Sequence, residues 1–254
     1  MSLTPHWPDL PANVGALATT RVGGVSHAPY DDGAGGGGLN LGTHVGDDAA
    51  TVAQNRALVA AQLPGRPAWL SQVHGIAVVD AALVAGEPPV ADASIATLPG
   101  AVCAIMTADC LPVLFADLDG KVVGGAHAGW RGLAAGVLGA TVRAMRAAGA
   151  GEITAWLGPA IGPTAFEVGE DVRAAFVAAI PSAPDEVHAA FVPYLGRAGK
   201  YLADMNTLAR LMLADVGVTR VHGGDHCTVL EADRFYSYRR DGVTGRQASL
   251  IWIK

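Results

Sequence analysis

Positive charge is scarce in this chain. Seventeen Lys and Arg stand against 23 Asp and Glu in 254 residues, a formal net charge of -6, and charged residues of both signs reach only 16%. Such a balance lacks the basic footprint of a protein that grips duplex DNA or RNA, so nucleic acid is excluded as an expected partner. Cysteine is also rare: Cys103, Cys110 and Cys227 are too few, and odd in number, for a disulfide framework. Each is therefore a buried thiol, a ligand or a nucleophile. Long apolar runs are missing, because Asp109, Asp117, Lys121, Arg131 and Arg143 cut the greasiest stretches before the roughly 18 uncharged residues of a spanning helix are reached. The first residues, Met-Ser-Leu-Thr-Pro-His-Trp-Pro, carry no basic region followed by an apolar run, so no secretory leader is expected and the default address is cytoplasmic.

What is abundant is apolar: 51% of the residues are hydrophobic, enough to bury a substantial core in a chain of this length. The first forty residues close on Asp31-Asp32-Gly33-Ala34-Gly35-Gly36-Gly37-Gly38, which reads as a mobile surface loop. Residues 49–63 have helical composition and are entered from Asp47-Asp48, a capping pair, with Arg56 mid-helix. From 67 to 130 short Val, Ile and Leu runs separated by Gly and Asp predict strands near 68–73, 76–81, 101–108, 110–116 and 121–127. Further on, the spacing of apolar residues predicts helices over 131–147, over Val168 to Ile180 and over Leu202 to Val216, with strands at 152–157 and Ala248–Ile253. Strands and helices alternate without a strict β-α-β period, and the Asp117–Gly120 turn implies antiparallel pairing. The expected fold is a single α+β domain over 1–254, with mixed, largely antiparallel sheets covered by helices.

Three segments place polar residues in apolar surroundings: Ser71-Gln72-Val73-His74-Gly75, Thr107-Ala108-Asp109-Cys110-Leu111-Pro112 and Ala126-His127-Ala128-Gly129-Trp130-Arg131-Gly132. If the Asp117–Gly120 turn closes a hairpin, Cys110 lies opposite His127, or one diagonal step from it in the alternative register. Both registers keep thiol and imidazole on one face, because a shift of two preserves side-chain parity. Pro112 cannot donate to a ladder, which suggests that the strand breaks, or runs along an edge, just beyond Cys110. Adding His74 makes a His-Cys-His set suited to tetrahedral zinc, and three ligands leave one position open for a water whose pKa falls toward about 7. The same residues also read as a core thiol and core histidines, or as a nucleophile and its base. Cys103 reads as core. Asp225-His226-Cys227 cannot aim three donors one way if extended, so a structural role is expected there. Phe235 to Arg246 concentrates aromatics and arginines, fitting either base stacking with anion binding or a solvated hairpin.

Taken together, Thr20-Arg21-Val22-Gly23-Gly24, Leu39-Asn40-Leu41-Gly42-Thr43-His44-Val45-Gly46-Asp47, Asn55-Arg56, the three segments above, Gly158-Pro159-Ala160-Ile161-Gly162 and Phe235-Tyr236-Ser237-Tyr238-Arg239-Arg240-Asp241 resemble the YfiH-like, laccase-domain family over nearly the whole chain. Members of that family were formerly described as multicopper polyphenol oxidases and are now described as purine nucleoside phosphorylases. The resemblance implies a layered α/β/β/α fold similar to a toxin deamidase domain. It also implies one zinc at His74, Cys110 and His127, and phosphorolysis of adenosine, inosine and methylthioadenosine with adenosine deamination alongside. Purine nucleosides and phosphate are then the partners, and the protein is expected as a monomer or small homo-oligomer. Copper fits less well, since a laccase needs several coppers and only eight histidines are present. The Asp31–Gly38 stretch is longer than the family's usual link. Beyond the metal ligands, Arg56 is the first candidate for phosphate, with Arg239 and Arg240 behind it, and His44, Asp47 and Glu167 are candidates for moving the proton. Asn40 is expected near the substrate. A metal-free Cys110–His127 amidase or deamidase, a copper-dependent polyphenol oxidase and a nucleotide-binding module with a structural metal are the competing readings.

Overall fold

The structure is a computed structural model and describes residues 2–254. Along the chain run β1 (Ser2–Leu3), β2 (Val14–Thr19), β3 (Val22–Ser26), α1 (Ala49–Ala60), β4 (Pro67–Ala68), β5 (Val78–Asp80) and β6 (Ala93–Ala96). Next come β7 (Val102–Thr107), β8 (Leu111–Asp117), β9 (Val123–Ala128), α2 (Trp130–Ala134), α3 (Val137–Ala147), β10 (Ile153–Leu157), β11 (Glu167–Gly169) and α4 (Glu170–Ala179). The chain ends through α5 (Pro184–Ala189), β12 (Phe191–Pro193), β13 (Lys200–Ala203), α6 (Met205–Asp215), β14 (Arg220–Gly223), α7 (Tyr238–Asp241) and β15 (Gln247–Ile253).

Two sheets form the centre, one ordered β1-β2-β15-β7-β4 and the other β14-β10-β8-β9-β6-β5. Alternation along β8 and β9 decides what fills each layer. Leu114, Ala116 and Val123 pack with Cys103, Val14 and Ile251 of the first sheet. Val113, Phe115 and Ala126 turn the other way, onto Val142 and Met145 of α3 and Leu208 of α6. On the outer face of the first sheet, Val102, Ala104 and Leu250 bury Leu39, Leu41 and Val59 of α1. The layers are therefore α/β/β/α, as expected. Among the described residues no helix is long and apolar enough to cross a membrane.

Several local expectations are corrected. The strand expected over 68–73 is confined to Pro67–Ala68, because Gln72 replaces ladder bonds with side-chain ones, donating to the Met106 carbonyl at 2.8 Å and accepting the Met106 amide at 2.9 Å. The strand expected over 76–81 shortens to Val78–Asp80 and gives way to a 3-10 turn capped by Asp80. The helix expected over 131–147 is two helices, divided where Gly136 adopts φ 96°. Residues 167–169 extend as β11 before α4 starts, and Lys200–Ala203 is a strand before Asp204 caps α6. Pro112 lies inside a central strand rather than at a break or an edge. Its neighbour His127 aims its amide at the Asp92 carbonyl on the far side, and Pro112 itself accepts the Gly158 amide beyond the end of β10, so its missing N–H falls at the margin of the ladder.

The glycine-rich stretch makes local contacts of its own. Asp32 accepts the amides of Ala34 and Gly36, and a Cβ on Gly38 would overlap the Tyr30 carbonyl. Asn55 on α1, fully buried, binds this region with one amide group: it accepts the Val25 amide and donates to Ser26 Oγ and to the carbonyls of Gly38 and Asn40. Removing it orphans several buried groups at about 1–3 kcal/mol each. Asn55→Ala should therefore lower unfolding stability by about 3 kcal/mol or more in urea titrations, whereas exposed Gln54→Ala should stay within about 0.5 kcal/mol of wild type.

Candidate metal centre and cleft

The β8–β9 hairpin takes the second of the two possible registers, with Pro112 opposite His127 and Leu111 opposite Ala128. Cys110 therefore lies diagonal to His127, and both side chains enter the gap between the two sheets at its open end. Gly129 completes this corner, because a Cβ there would overlap the His74 ring and crowd the Cys110 sulfur.

His74 reaches the same spot from an irregular loop, with φ at 62°, a left-handed conformation that costs about 1 kcal/mol or more for a residue with a side chain. That conformation is held by Asp92, a fully buried carboxylate. Asp92 accepts the amides of Val73 at 3.2 Å, His74 at 2.9 Å and Gly75 at 2.7 Å, and it lies 2.8 Å from Nδ1 of His127. One side chain thus sets the backbone that carries His74 and the ring orientation of His127, leaving His127 Nε2 to face the gap. Burial alone would raise the Asp92 carboxyl, but the hydrogen bonds from His127 and from the Gly75 and Val73 amides outweigh it and keep the group below its ordinary range.

One donor atom from each of His74, Cys110 and His127 lies within 4.8 Å of the others, and they form the one such group of three or more among the described residues. Cys110 Sγ is 3.6 Å from His74 Nε2. A thiolate and an imidazole sharing a tetrahedral zinc are separated by about 3.6 Å, given bonds of about 2.3 and 2.0–2.1 Å. The set therefore fits a small tetrahedral cation, and the Asp92–His127 contact is the usual outer partner of a metal-binding imidazole. Burial would push the Cys110 thiol up, but His127 and His74 overcome it and bring it down to about 6. For His127 burial acts downward, and Asp92 with Cys110 raises it to about 9. Thiolate and imidazolium are thus the stable forms of the pair at neutral pH when no cation replaces the protons. Cys103, fully buried in the inter-sheet core, is pushed up to about 12.

These groups stand in a cleft of about 670 Å³ whose walls include His44, Arg56, Gln72, Glu87, Thr107, Tyr238 and Arg246. Arg56 is fixed by a bond from Nε to the Leu41 carbonyl and by stacking 4.4 Å over Trp69. Burial, then Arg246 and Arg56, hold the His44 imidazole below its ordinary value, so it is neutral at pH 7.

The remaining sequence candidates do not line the cleft. Asn40 is buried and holds the loop, donating to Asp47 and the Gly42 carbonyl and accepting the amides of Gly42 and Arg246. Asp47 is taken up by Ser26, Asn40 and the Asp48 amide. Arg240 points inward to the carbonyls of Thr228, Val229 and Phe235. Arg239 donates to the Glu167 carbonyl, while the Glu167 carboxylate pairs with Arg197. Cys227 accepts the Gly162 amide and ties two loops together. Sequence reasoning missed Asp92, although its signal was of the same kind as the others, a lone acid in the apolar run Val-Ala-Asp-Ala-Ser-Ile.

Two outcomes follow. In metal-free protein, iodoacetamide should label Cys110 at a rate that rises through pH of about 6 and then levels, while Cys103 stays unlabelled; a rate still climbing through about 8.5 would contradict the assigned pairing. Asp92→Asn should weaken metal retention by about 10- to 100-fold in a competition titration with a chromogenic chelator.

Comparison with known proteins gives the context of this cleft. The chain is 54% identical over 255 residues to a purine nucleoside phosphorylase of Pseudomonas aeruginosa, covering 99% of this chain and 98% of that one. It is 51% identical over 256 residues to purine nucleoside phosphorylase YfiH of Escherichia coli, with 99% and 98% covered. The crystal structure of a Neisseria meningitidis protein superposes with a TM-score of 0.91 at 51% identity, covering 100% of this chain and 99% of that chain. A family model described as multi-copper polyphenol oxidoreductase laccase matches residues 15–254, and the chain belongs to that family.

Proposed function

We propose that this protein is a purine nucleoside phosphorylase that works in the cleft beside a zinc site formed by His74, Cys110 and His127, and that it also deaminates adenosine. The observation that carries this reading is the meeting, in one cleft, of a three-donor metal set with cationic side chains, in a chain whose full-length relatives are named purine nucleoside phosphorylases. Adenosine, inosine and methylthioadenosine are the proposed substrates. Bound there, zinc supplies Lewis acidity and lowers the pKa of a water molecule, the chemistry that deamination at C6 of the purine requires.

The chain's own groups divide the remaining work. Arg56 offsets the charge of hydrogen phosphate as an oxygen of that ion bonds to C1′ and the C1′–N9 bond breaks toward the purine. The departing base takes up the proton that phosphate loses, which balances the step, and neutral His44 is the group proposed to relay it. Tyr238, exposed in the wall of the cleft, offers a ring face to the base.

A second reading draws on one specific observation: Cys110, His127 and Asp92 also form a thiol, imidazole and carboxylate series, with the thiol lowered to about 6. That series suits a metal-free amidase or deamidase. In that reading His74, a second imidazole held 3.6 Å from the same sulfur by a strained backbone, only helps to stabilise the thiolate, whereas the metal reading makes it a ligand, and for that reason the metal reading is preferred.

Incubation of purified protein with adenosine, with and without phosphate, followed by chromatography and mass spectrometry, tests the proposal. Adenine and ribose 1-phosphate should appear only with phosphate, inosine should appear in both, and a strong chelator should abolish all three. Activity that survives chelation would favour the thiol series. Arg56→Ala should raise the phosphate KM steeply, by about tenfold or more, and disturb inosine formation less; equal loss of both activities would remove that assignment.

A further inference from the structure

Four buried side-chain oxygens have no hydrogen-bond partner among the described residues: Ser94 Oγ, Asp117 Oδ2, Asn206 Oδ1 and Thr107 Oγ1. Thr107 alone among these four residues lines the cleft, and it is only 2% exposed. An orphaned buried hydroxyl destabilises a fold by about 1–3 kcal/mol, so its persistence inside a cleft points to a ligand that completes it.

Topology says what lies around it. Cys103 and Ile105 on β7 face the gap between the sheets, Cys103 donating to the Ser94 carbonyl and Ile105 packing under Gly125. By alternation Thr107 faces the same gap. Only Ala108 and Asp109 separate it from Cys110, so it stands at the open end where the metal ligands meet. Its ladder partner is Gln247, the residue after Arg246, and the preceding Met106 holds its sulfur 3.7 Å from the Arg56 guanidinium. Neither arginine has an ion-pair partner within 4.0 Å among the described residues. Arg246 is anchored by bonds to the carbonyls of Thr244 and Gly245 and is close enough to Cys110 to feel its charge. Glu87 is the one carboxylate in the walls. Two half-buried guanidinium groups without a counter-ion, lining the same cleft as an unused hydroxyl donor, offer a subsite for a small oxyanion.

We infer that the Thr107 hydroxyl and the Arg246 guanidinium, neither assigned by the reading above, form the subsite for inorganic phosphate together with Arg56. The inference rests on the phosphorolysis reading for its biological meaning, but not for its test. Thr107→Val keeps nearly the same volume and deletes only the hydroxyl, while Thr107→Ser keeps the hydroxyl. Two measurements are made on the metal-loaded protein: the rise in Tm that inorganic phosphate produces without nucleoside, and the KM for phosphate against the KM for adenosine.

Thr107→Val should lose most of the phosphate-induced rise in Tm. Its phosphate KM should increase about tenfold or more with the adenosine KM nearly unchanged, and Thr107→Ser should restore both. The ligand-free Tm of Thr107→Val should equal or exceed wild type, because an unpaired buried hydroxyl has been removed; a merely structural threonine would give a lower Tm. Arg246→Gln should also lose the phosphate-induced rise. Wild type without any stabilisation by phosphate, or Thr107→Val with an unchanged phosphate response, would overturn the subsite. If phosphate stabilises wild type but not Thr107→Val, and yet no adenine is released, the subsite stands and the phosphorolysis reading falls.

Discussion

A single buried carboxylate organises the functional end of this molecule. Taking Asp92 out of water is expensive unless its lone pairs are filled, and four donors fill them: three consecutive amides of residues 73–75 and the His127 ring. Those donors belong to different parts of the chain, a loop and a central strand, so the ionised form of Asp92 is stable only when both are in place. The geometry of the His-Cys-His set is thereby coupled to folding of the sheet rather than left to the rotamers of three independent side chains.

Several local departures from comfortable structure gather at the same end of the sandwich. His74 and Asp109 are the two non-glycine residues with positive φ among the described residues, Thr107 keeps an unpaired hydroxyl, and Arg56 and Arg246 sit partly buried without carboxylate partners. Asp109 has its own compensation, accepting from Thr228 Oγ1 and the Arg239 amide. Deeper in the gap Cys103, Leu114, Ala116 and Ile251 form an apolar core. This polarity along one gap is the arrangement expected when a rigid apolar core supports a strained, reactive rim.

Much of this was legible in the sequence where parity carried the information. Cys110 and His127 share a face in any register that differs by two, so the choice between turns did not matter, and an α+β fold of sheets covered by helices followed from strand runs bracketed by amphipathic helices, whereas its α/β/β/α layering came from the family resemblance. Boundaries failed where one side chain substitutes for backbone pairing, as Gln72 does for a strand at 68–73, or where one glycine divides a continuous pattern, as Gly136 does. The arginines show a further limit. Composition marks Arg239, Arg240 and Arg246 as a cluster, but which of them faces the cleft depends on carbonyls distant in sequence: those of Thr228 and Val229 bind Arg240, and that of Glu167 binds Arg239. Asp92 carries a local signal, a lone acid in an apolar run, but its partners lie 17 to 35 residues away, so what it holds is not written beside it.

The family's description as a laccase and its relatives' names as phosphorylases make different demands on the ligand supply. A His2Cys set is shared by zinc enzymes and by mononuclear copper sites, so the donor atoms alone do not separate the two. Multicopper oxidation needs further clusters of imidazoles, and three of the five histidines outside the cleft are held by other side chains: His222 by Asp9, His226 by Glu231 and His188 by Arg173. Among the described residues His74, Cys110 and His127 are the one group that can hold a metal. His74 is solvent-exposed and faces an open cleft, which suits an ion that must meet a substrate rather than one shielded for electron transfer. The guanidinium groups beside it have no function in oxidising a phenol, but they are what an attacking anion requires. Charge and coordination together therefore favour nucleoside chemistry over oxidation.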